Sequence, residues 1–273
     1  MINPIHAQKL THSNRLEESV IAITGAGSGN GKAAALRTGR EGASIYISDI
    51  NAELLEETIS DLKSEGINAQ GGIFDAANID DAHRFIASVK KAHGRIDVLV
   101  NNAGAVKVEP FPNVSEENWD WTMNLNLKGA FFLMQEAAKP MIDQQSGNIV
   151  NIASIAGTFG GPTSSPSYAA AKAGLVNLTT VAASVLAQYT IRVNAIAPGI
   201  INTPFHAPVD LAIGQEQLGL APGEHINTRV GLIPLGRLGE PEDVAATVVF
   251  LASEDAAHIS GETITVAGAM RSL

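Results

Sequence analysis

The chain of 273 residues is 45% apolar and 17% charged, which is typical of a globular protein large enough to bury a substantial core. Its formal net charge of −10 argues against nucleic acid and anionic membrane surfaces as partners. Because it has no cysteine, disulfides, a thiolate nucleophile and a cysteine zinc site are excluded. Residues 1–18 are polar and lack the apolar core of a secretion signal. We therefore predict an N-terminal tail on a soluble, cytoplasmic protein.

Short apolar runs alternate with helical patterns along the rest of the chain. The strand-like runs cover residues 20–24, 44–49, 69–74, 96–101, 148–152, 192–197 and 263–266. The helical stretches cover residues 31–41, 52–65, 79–93, 116–141, 168–188 and 241–252. This alternation predicts one α/β domain over residues 19–273, with a doubly wound parallel sheet flanked by helices. Ligands of such sheets bind beyond the carboxyl ends of the strands. The irregular residues 204–239, here called the lid segment, are long enough to predict an active-site lid.

A glycine-rich turn follows the first strand-like run, in the pattern T-G-x-x-x-G-x-G with Gly25, Gly29 and Gly31. Glycines at a strand-to-helix turn let backbone N–H groups approach a pyrophosphate at the helix N-terminus. The usual G-x-G-x-x-G spacing is absent because Asn30 and Lys32 occupy the positions of its third glycine. A glycine-rich turn by itself is also compatible with a plain loop.

Asp49 ends the second strand-like run, 18 residues beyond Gly31. A carboxylate at this place accepts hydrogen bonds from both ribose hydroxyls of NAD, whereas the 2′-phosphate of NADP would meet repulsion. Ser28, in the glycine-rich turn, offers no positive charge for that phosphate. These residues predict NAD as the cofactor. The alternative is that Asp49 caps a turn or a helix, although Asn51 is better placed as the helix N-cap.

Tyr168 and Lys172 lie four residues apart on a predicted helix and therefore share a face. An ammonium beside a phenol favours the phenolate, so we expect the pKa of Tyr168 to be lowered toward working pH. The required shift is large for one lysine near water, and an oxidised nicotinamide would supply a second positive charge. By itself, the Tyr-x-x-x-Lys spacing is often incidental.

Four motifs in a specific order identify a family. These are the glycine pattern, Asn101-Asn102-Ala103-Gly104, Ser154 upstream of Tyr168-x-x-x-Lys172, and Pro198-Gly199. Together they resemble the short-chain dehydrogenase/reductase family, in its shorter single-domain branch, from about residue 20 to the C-terminus. The resemblance implies one Rossmann-like domain with about seven parallel strands, commonly assembled as a homotetramer.

The resemblance also implies a catalytic role for each of four residues. Tyr168 would exchange the proton of the substrate hydroxyl, and Lys172 would hold the ribose hydroxyls while lowering the pKa of the tyrosine. Ser154 would donate a hydrogen bond to the substrate oxygen. Asn126 matches the family asparagine that holds a water for a proton relay toward the lysine, and its spacing to Gly129 favours it over Asn124.

Each of these assignments has a plainer alternative. Ser154 could be a helix cap or a turn residue, and Ser164, Ser165 and Ser167 are nearer to Tyr168 in sequence. Those three precede the predicted helix in a proline-flanked loop, which makes them weaker candidates. Asn126 could simply bond the backbone at a helix kink.

Further cofactor contacts are implied at the ends of later strands. Asp75, with Ala76 after it, matches the family acid that meets the adenine amino group. The other positions, near the adenosine ribose and the carboxamide, are Asn102, Ala103, Gly104, Pro198, Gly199, Ile201 and Thr203.

The substrate pocket is predicted from the residues after Ser154, the 160–167 loop and the lid segment. Its candidate apolar residues are Ile155, Phe159, Phe205, Leu218, Leu220, Ile226, Val230 and Leu232. Arg229 is the one fixed positive charge among these candidates. His206 and His225 could touch the substrate, but they are interpreted as surface residues. We therefore expect a mostly uncharged, apolar secondary alcohol or ketone. The histidines form no His-x-x-x-His pair or carboxylate cluster, so no metal is expected.

Two other functions stay open on the sequence. One is a carbonyl reductase of the 3-oxoacyl type, acting on carrier-bound acyl chains. It is disfavoured because Phe131 and Phe132 follow Gly129 where a basic docking residue would suit an acidic carrier. The other is a non-catalytic NAD-sensing scaffold, which the presence of Ser154, Tyr168 and Lys172 argues against.

Overall fold

A computed structural model describes residues 14–160, 165–216 and 218–270. The strands are β1 (Val20–Thr24), β2 (Ser44–Asp49), β3 (Ala69–Ile73), β4 (Val98–Asn101), β5 (Gly147–Ile152), β6 (Ile191–Pro198) and β7 (Thr263–Val266). The helices are α1 (Gly29–Arg40), α2 (Ala52–Ser64), α3 (Ile79–His93), α4 (Glu116–Met123), α5 (Ala130–Gln144), α6 (Pro166–Leu186), α7 (Ala207–Val209), α8 (Glu224–Thr228) and α9 (Pro241–Ala252).

The seven strands form one parallel sheet in the order β3-β2-β1-β4-β5-β6-β7. The order reverses at β1, which pairs with β2 on one side and β4 on the other. In sheets of this kind such a reversal opens a crevice at the carboxyl ends of the strands. The predicted class, a Rossmann-like doubly wound sheet in a single domain, is confirmed.

Two apolar layers pack on the two faces of the sheet. Alternate residues of β1 enter different layers: Ile21 and Ile23 pack with α1, α2 and α9, whereas Val20 and Ala22 pack with α3, α5 and α6. This division follows from the two-residue period of a strand. Because both faces are covered, β1 is buried along its whole length.

Most predicted elements agree with the structure, and several bounds are as predicted. The bounds of β1, β2, β7, α3 and α9 match the sequence patterns. Asn51 is the N-cap of α2, and its side chain accepts a hydrogen bond from the Leu54 N–H at 3.1 Å. Strand β4 begins at Val98, two residues later than predicted, because the Ile96 backbone bonds the Gln144 amide instead of a neighbouring strand.

The single helix predicted over residues 116–141 is wrong in one respect. A π-helical segment, Asn124–Gly129, separates α4 from α5, which continues to Gln144. Gly129 lies so near the Ala76 carbonyl oxygen that any Cβ there would overlap it. The wider π turn therefore coincides with a close tertiary contact, and π turns are frequent at functional sites.

The N-terminal tail predicted over residues 1–18 is too long at its C-terminal end. Residues 1–13 lie outside the described part of the chain, and residues 14–18 pack on the domain. Leu16 is 1% exposed and belongs to the apolar layer of α1, α2 and α9. Its N–H donates to the Glu41 carbonyl at 3.0 Å, and Arg15 forms an ion pair with the Glu41 carboxylate at 2.6 Å. Residues 14–18 are thus part of the domain. The sequence did not indicate this, because Leu16 is a single apolar residue among polar neighbours.

Helix α6 and the turn after it, Pro166–Tyr189, have the length and composition of a membrane-spanning helix, with a mean hydropathy of 1.4. Here the helix connects β5 to β6, and Leu175 and Ala183 pack in the second apolar layer. Val181 and Val185 on its other side are 50% and 56% exposed. Its apolar character therefore serves the core on one face and leaves a second face uncovered.

We expect Leu16→Ala to lower the free energy of unfolding by about 2–5 kcal/mol, because it leaves a cavity in a packed layer. Urea denaturation measures this change. The control is Glu17→Ala, an exposed neighbour for which a change below about 0.5 kcal/mol is expected. Equal stability of the two variants would show that residues 14–18 are not part of the folded unit.

Candidate active site

A cleft of about 670 Å³ lies at the carboxyl ends of the strands. Nearly all the predicted site residues line it: Gly25, Ser28, Gly29, Asn30, Asp49, Asp75, Ala76, Asn102, Ala103, Gly104, Ser154, Tyr168, Lys172, Pro198, Gly199, Ile201 and Thr203. Gly31 and Asn126 are buried immediately behind the lining. The structure therefore brings together in one cleft residues that span most of the chain.

The glycine-rich turn forms the floor of one end of the cleft. Gly25 and Gly29 have φ values of 62° and 53°, in the region that residues with a Cβ rarely adopt. A Cβ on Gly31 would lie 2.6 Å from the Asn102 side-chain nitrogen, which itself donates to the Thr24 and Gly25 carbonyls at 2.9 Å each. Gly31 therefore permits close packing of α1 on the turn.

The Asp49 carboxylate is held in a fixed orientation at the end of β2. One oxygen accepts a hydrogen bond from the Gly27 N–H at 2.9 Å, and the other accepts from the Asn51 N–H at 2.9 Å. A Cβ on Gly27 would lie 2.9 Å from the same carboxylate, so that glycine makes room for it. Both oxygens keep lone pairs that can accept further hydrogen bonds from the cleft.

Asp75 lies near the same end of the cleft, after β3. Its carboxylate accepts a hydrogen bond from the Ala77 N–H at 2.9 Å, and its own N–H donates to Asp81 at 2.9 Å. Ala76 follows it and also lines the cleft. Asp49 and Asp75 thus make this end of the cleft acidic.

Two polar residues that the sequence analysis did not select organise the centre of the sheet edge. The Thr24 hydroxyl accepts hydrogen bonds from the N–H groups of Asn102 and Ala103, both at 3.1 Å. The Asn151 amide accepts from Asn101 at 3.2 Å and donates to the Thr179 hydroxyl at 2.9 Å. These bonds fix the ends of β1, β4 and β5 relative to α6. Thr24 begins the glycine pattern, and Asn151 lies three residues before Ser154. Their partners lie on other elements, so the motifs alone do not predict these contacts.

Ser154, Tyr168 and Lys172 meet at the other end of the cleft. The Ser154 hydroxyl, just past β5, accepts a hydrogen bond from the Ala156 N–H at 3.1 Å. The Lys172 ammonium, on a residue only 3% exposed, donates to the Ile152 carbonyl at 2.8 Å and lies 5.6 Å from the centre of the Tyr168 ring. A Cβ on Gly157 would lie 2.5 Å from the Lys172 backbone, so this glycine lets the turn after β5 press against α6.

The pKa of Tyr168 contradicts the expectation from the Tyr-x-x-x-Lys spacing. Although its ring is half-buried by accessible surface, protein atoms crowd the hydroxyl, and burial raises the pKa of Tyr168 above its ordinary value. A hydrogen bond with Ser154 opposes this rise and is the smaller effect. Burial likewise lowers the pKa of the Lys172 ammonium to about 8. Within the chain alone, burial therefore outweighs the attraction between ammonium and phenolate.

Asn126 lies in the π-helical segment and is fully buried. Its amide nitrogen donates to the Ala105 and Thr122 carbonyls at 2.9 and 3.0 Å. Its amide oxygen has no hydrogen-bond partner among the described residues and faces Gly104, where a Cβ would lie 2.7 Å from it and 3.4 Å from the Lys172 ammonium. The Asn126 oxygen and the Lys172 ammonium therefore both lie beside Gly104.

The lid segment contains more regular structure than predicted and contributes one side of the cleft. Helices α7 and α8 lie within it, together with a π-helical segment at Asp210–Gln215. Phe205 lies with its ring centre 5.6 Å from that of Tyr168, and His206, Pro208, Val209 and Arg229 also line the cleft. The apolar lining includes Val106, Trp121 and Leu125, which the sequence analysis missed because they precede the catalytic motifs by long intervals.

Several predicted pocket residues lie elsewhere. Phe159, Leu218 and Leu232 are 41%, 59% and 57% exposed and are not part of the described lining. The interpretation of His225 as a surface residue is wrong: it is 5% exposed and packs against Gly214. Ser165 lines the cleft and donates to the Lys107 carbonyl at 3.2 Å, whereas residues 161–164 of the 160–167 loop, including Ser164, lie outside the described residues. Across the described ranges, no group of three or more His, Cys, Asp or Glu residues could hold a metal.

The doubly wound sheet and the chemistry at its carboxyl edge define an oxidoreductase of the dinucleotide-binding class. The family model for the short chain dehydrogenases matches residues 19–213. The chain is 38% identical over 256 residues to the 3-oxoacyl-[acyl-carrier-protein] reductase FabG of Thermotoga maritima, covering 94% of this chain and 99% of that protein. It belongs to the short-chain dehydrogenase/reductase family, whose members similar to it oxidise CH–OH groups or reduce the corresponding carbonyls.

Solved structures of similar proteins have the same fold. The crystal structure of levodione reductase superposes with a TM-score of 0.88 at 32% identity, covering 93% of this chain and 97% of that one. The structure of NAD⁺-bound xylitol dehydrogenase gives a TM-score of 0.86 at 31% identity, covering 93% and 99%. The whole described domain, rather than a fragment of it, is therefore shared.

The lowered pKa of Lys172 predicts a pH-dependent contribution to stability. Below about pH 8 the lysine is charged in both states, and burial of the charge costs stability. Between about pH 8 and 10.5 the unfolded state still binds a proton that the native state has released, so the contribution of Lys172 to stability rises with pH. The measurement is urea unfolding of the protein and of Lys172→Met across this range. Relative to the variant, the protein should gain stability from pH 8 to 10, and a constant difference would contradict burial as the cause.

Proposed function

We propose that the protein is an NAD-dependent dehydrogenase of mostly apolar secondary alcohols, acting reversibly on the ketones. The observation that carries the proposal is the meeting of Ser154, Tyr168 and Lys172 in a cleft whose other end holds the glycine-rich turn and Asp49. The residues fit a dinucleotide because Gly25 and Gly29 line the cleft without side chains and because Asp49 keeps lone pairs that can accept hydrogen bonds. When bound, the oxidised coenzyme supplies the hydride acceptor and a second positive charge beside the phenol.

Residues of the chain itself transfer the proton of the substrate hydroxyl and stabilise the charge that this transfer creates. Tyr168 takes the hydroxyl proton of an alcohol, or returns it to a ketone, at its phenol oxygen. Ser154 donates a hydrogen bond to the same substrate oxygen as charge develops there. Lys172 holds the ribose hydroxyls and, while charged, offsets the cost of forming a buried phenolate. Its hydrogen bond to the Ile152 carbonyl keeps the ammonium in the cleft.

We propose that Asn126 completes a proton relay. Its buried amide oxygen has no partner among the described residues and lies, like the Lys172 ammonium, beside Gly104, which suits a water that links the two groups. Asn124 has no comparable position, because the π-helical segment turns Asn126 inward. The proton of Tyr168 would then reach solvent through the ribose, the lysine and this water.

The remaining cleft residues are proposed to position the coenzyme. Asp75 and Ala76 would meet the adenine, and Asn102, Ala103 and Gly104 would pass along the adenosine ribose. Pro198, Gly199, Ile201 and Thr203 would hold the carboxamide and fix the exposed face of the nicotinamide. Gly25, Ser28, Gly29 and Asn30 would surround the pyrophosphate, with Gly31 supporting them from behind.

A second candidate reaction is reduction of a 3-oxoacyl thioester. It is favoured by the 38% identity to the FabG reductase. Phe131, 38% exposed, and Phe132 stack edge to face on α5, and neither provides a positive charge for an acidic carrier. A faster rate with an acyl thioester than with simple ketones would favour this candidate. The third function, a non-catalytic scaffold, has no observation in its support.

We also propose that the protein is a cytoplasmic homotetramer. The exposed face of α6, with Val181 and Val185, and the exposed Phe131 of α5 offer apolar surface for contact between subunits. A second copy of the chain is the simplest partner for such apolar faces.

We expect Tyr168→Phe to lower kcat by at least about 10²-fold while NADH affinity stays unchanged, because only the proton-transferring hydroxyl is lost. Turnover is followed by nicotinamide absorbance and binding by NADH fluorescence. Tyr189→Phe removes a phenol from outside the cleft and should retain full activity. Undiminished turnover of Tyr168→Phe would remove this residue from the mechanism.

We expect Asp49→Ala to reduce kcat/KM for NAD by about tenfold or more and to improve the use of NADP, because a charged acceptor of the ribose hydroxyls is lost and the repulsion of a 2′-phosphate disappears. Steady-state kinetics with both coenzymes measures the change. Glu53→Ala, an exposed acid in the first turn of α2, controls for net charge. A preference of the unaltered protein for NADP would refute the assignment.

A further inference from the structure

His206 faces the cleft from the start of the lid segment, and the proposed reaction gives it no role. The residue ends the short 3₁₀-helical turn Pro204–His206 and is half-buried. From the sequence it was interpreted as a surface residue, whereas in the structure it belongs to the lining of the cleft. A polar ring thus lies in a part of the cleft to which no polar group of the substrate has yet been assigned.

The position of His206 is fixed relative to the coenzyme site and to the phenol. Its backbone N–H donates to the carbonyl of Thr203 at 3.3 Å, and Thr203 is proposed to hold the carboxamide. The rings of His206 and Phe205 have centres 5.6 Å apart and meet edge to face, and the centre of the Phe205 ring is also 5.6 Å from that of Tyr168. Because Phe205 contacts both rings, a group bound by His206 would be distinct from the oxygen that reacts at Tyr168.

The imidazole of His206 is neutral at pH 7 and has both ring nitrogens unpaired. Burial lowers the pKa of His206 to about 4, and Arg229 and His225 lower it further in the same direction. Within residues 14–160, 165–216 and 218–270, no group forms a hydrogen bond with either ring nitrogen. A neutral imidazole offers one N–H donor and one acceptor nitrogen. Polar atoms that are withdrawn from water without a partner cost free energy, which a ligand with a matching polar group would recover.

The surroundings of His206 in the cleft are largely apolar. Val106, Trp121, Leu125, Pro208 and Val209 all belong to the lining. Such side chains suit the carbon skeleton of a substrate but provide no polar side chain to orient it. In a mostly apolar pocket, a single well-placed polar group fixes the orientation of the ligand and provides specificity.

We propose that His206 binds a second, uncharged oxygen of the substrate, so that the natural substrate is an apolar secondary alcohol with a hydroxyl or carbonyl group remote from the reacting carbon. A hydroxyl matches the donor and the acceptor of a neutral imidazole, and a carbonyl matches its donor. An ionised group would be better matched by a charged partner than by an uncharged ring. This inference rests on the proposed dehydrogenase function and defines its substrate class more closely.

The test compares diketones with monoketones of the same chain length as substrates for reduction by NADH. The pairs are 2,5-hexanedione with 2-hexanone, 2,6-heptanedione with 2-heptanone, and 2,7-octanedione with 2-octanone. For the best-fitting pair, the unaltered protein should give a kcat/KM about tenfold higher for the dione, which exceeds the gain from having two equivalent carbonyls. His206→Phe keeps a ring of similar shape without nitrogen and should abolish this preference, mainly by raising KM of the dione. His206→Gln should restore part of it, because an amide keeps a donor and an acceptor.

The control variant is His258→Phe, which removes an exposed histidine outside the described lining of the cleft. It should keep the preference for the dione. Cooperative thermal unfolding verifies that each variant is folded. Equal changes in kcat/KM for dione and monoketone in His206→Phe would show a merely structural role and overturn the proposal. A preference of the unaltered protein for the monoketone in every pair would overturn it as well.

A binding measurement separates failure of this inference from failure of the proposed reaction. Calorimetric titration of the same diones and monoketones into the protein with NAD⁺ requires no turnover, because a ketone cannot be reduced by the oxidised coenzyme. Tighter binding of a dione that is lost in His206→Phe but kept in His258→Phe supports the proposal, even if no ketone is reduced with NADH. Diones that bind no more tightly than monoketones, or that bind both variants equally well, overturn it.

Discussion

The hydrogen bond from the Lys172 ammonium to the Ile152 carbonyl ties helix α6 to the end of strand β5. Every proposed reacting group depends on this junction. Ser154 follows Ile152 by two residues, and Tyr168 lies one helical turn before Lys172, so the bond sets the separation of the serine and tyrosine hydroxyls. The packing at Gly157 makes the junction possible, because a side chain there would force the turn away from the Lys172 backbone. The site is therefore a consequence of how one strand end meets one helix.

Burial at this junction sets the electrostatics as well as the geometry. The same crowding that orients Lys172 and Tyr168 raises the pKa of the phenol and lowers that of the ammonium. The buried phenol of Tyr168 therefore favours its neutral form, and a positive charge bound in the cleft would favour its ionisation. Ionisation of Tyr168 and occupation of the cleft by an oxidised coenzyme are then thermodynamically linked, since each favours the other.

Much of the sheet could be predicted from the sequence because strands buried on both faces leave a strong apolar signal and glycines mark the turns. The residues of the cleft could also be predicted, because their motifs lie at the ends of strands and parallel strands end at the same edge of the sheet. Features that depend on tertiary contacts could not be predicted from the sequence. The π-helical segment accompanies the approach of Gly129 to Ala76, and His225 is buried by packing on Gly214. In both pairs the residues lie more than two helical turns apart in the sequence. The pKa of Tyr168 was misjudged because spacing along a helix reports neighbours but says nothing of solvent.

The π-helical segment makes the position of Asn126 depend on chain length. Each residue of an α-helix turns the chain by about 100°, so a deletion between Met123 and Ala130 would rotate the amide of Asn126 away from Lys172. An insertion there would do the same in the opposite sense. In this fold, the proposed relay through Asn126 thus depends on the length of a single helical segment.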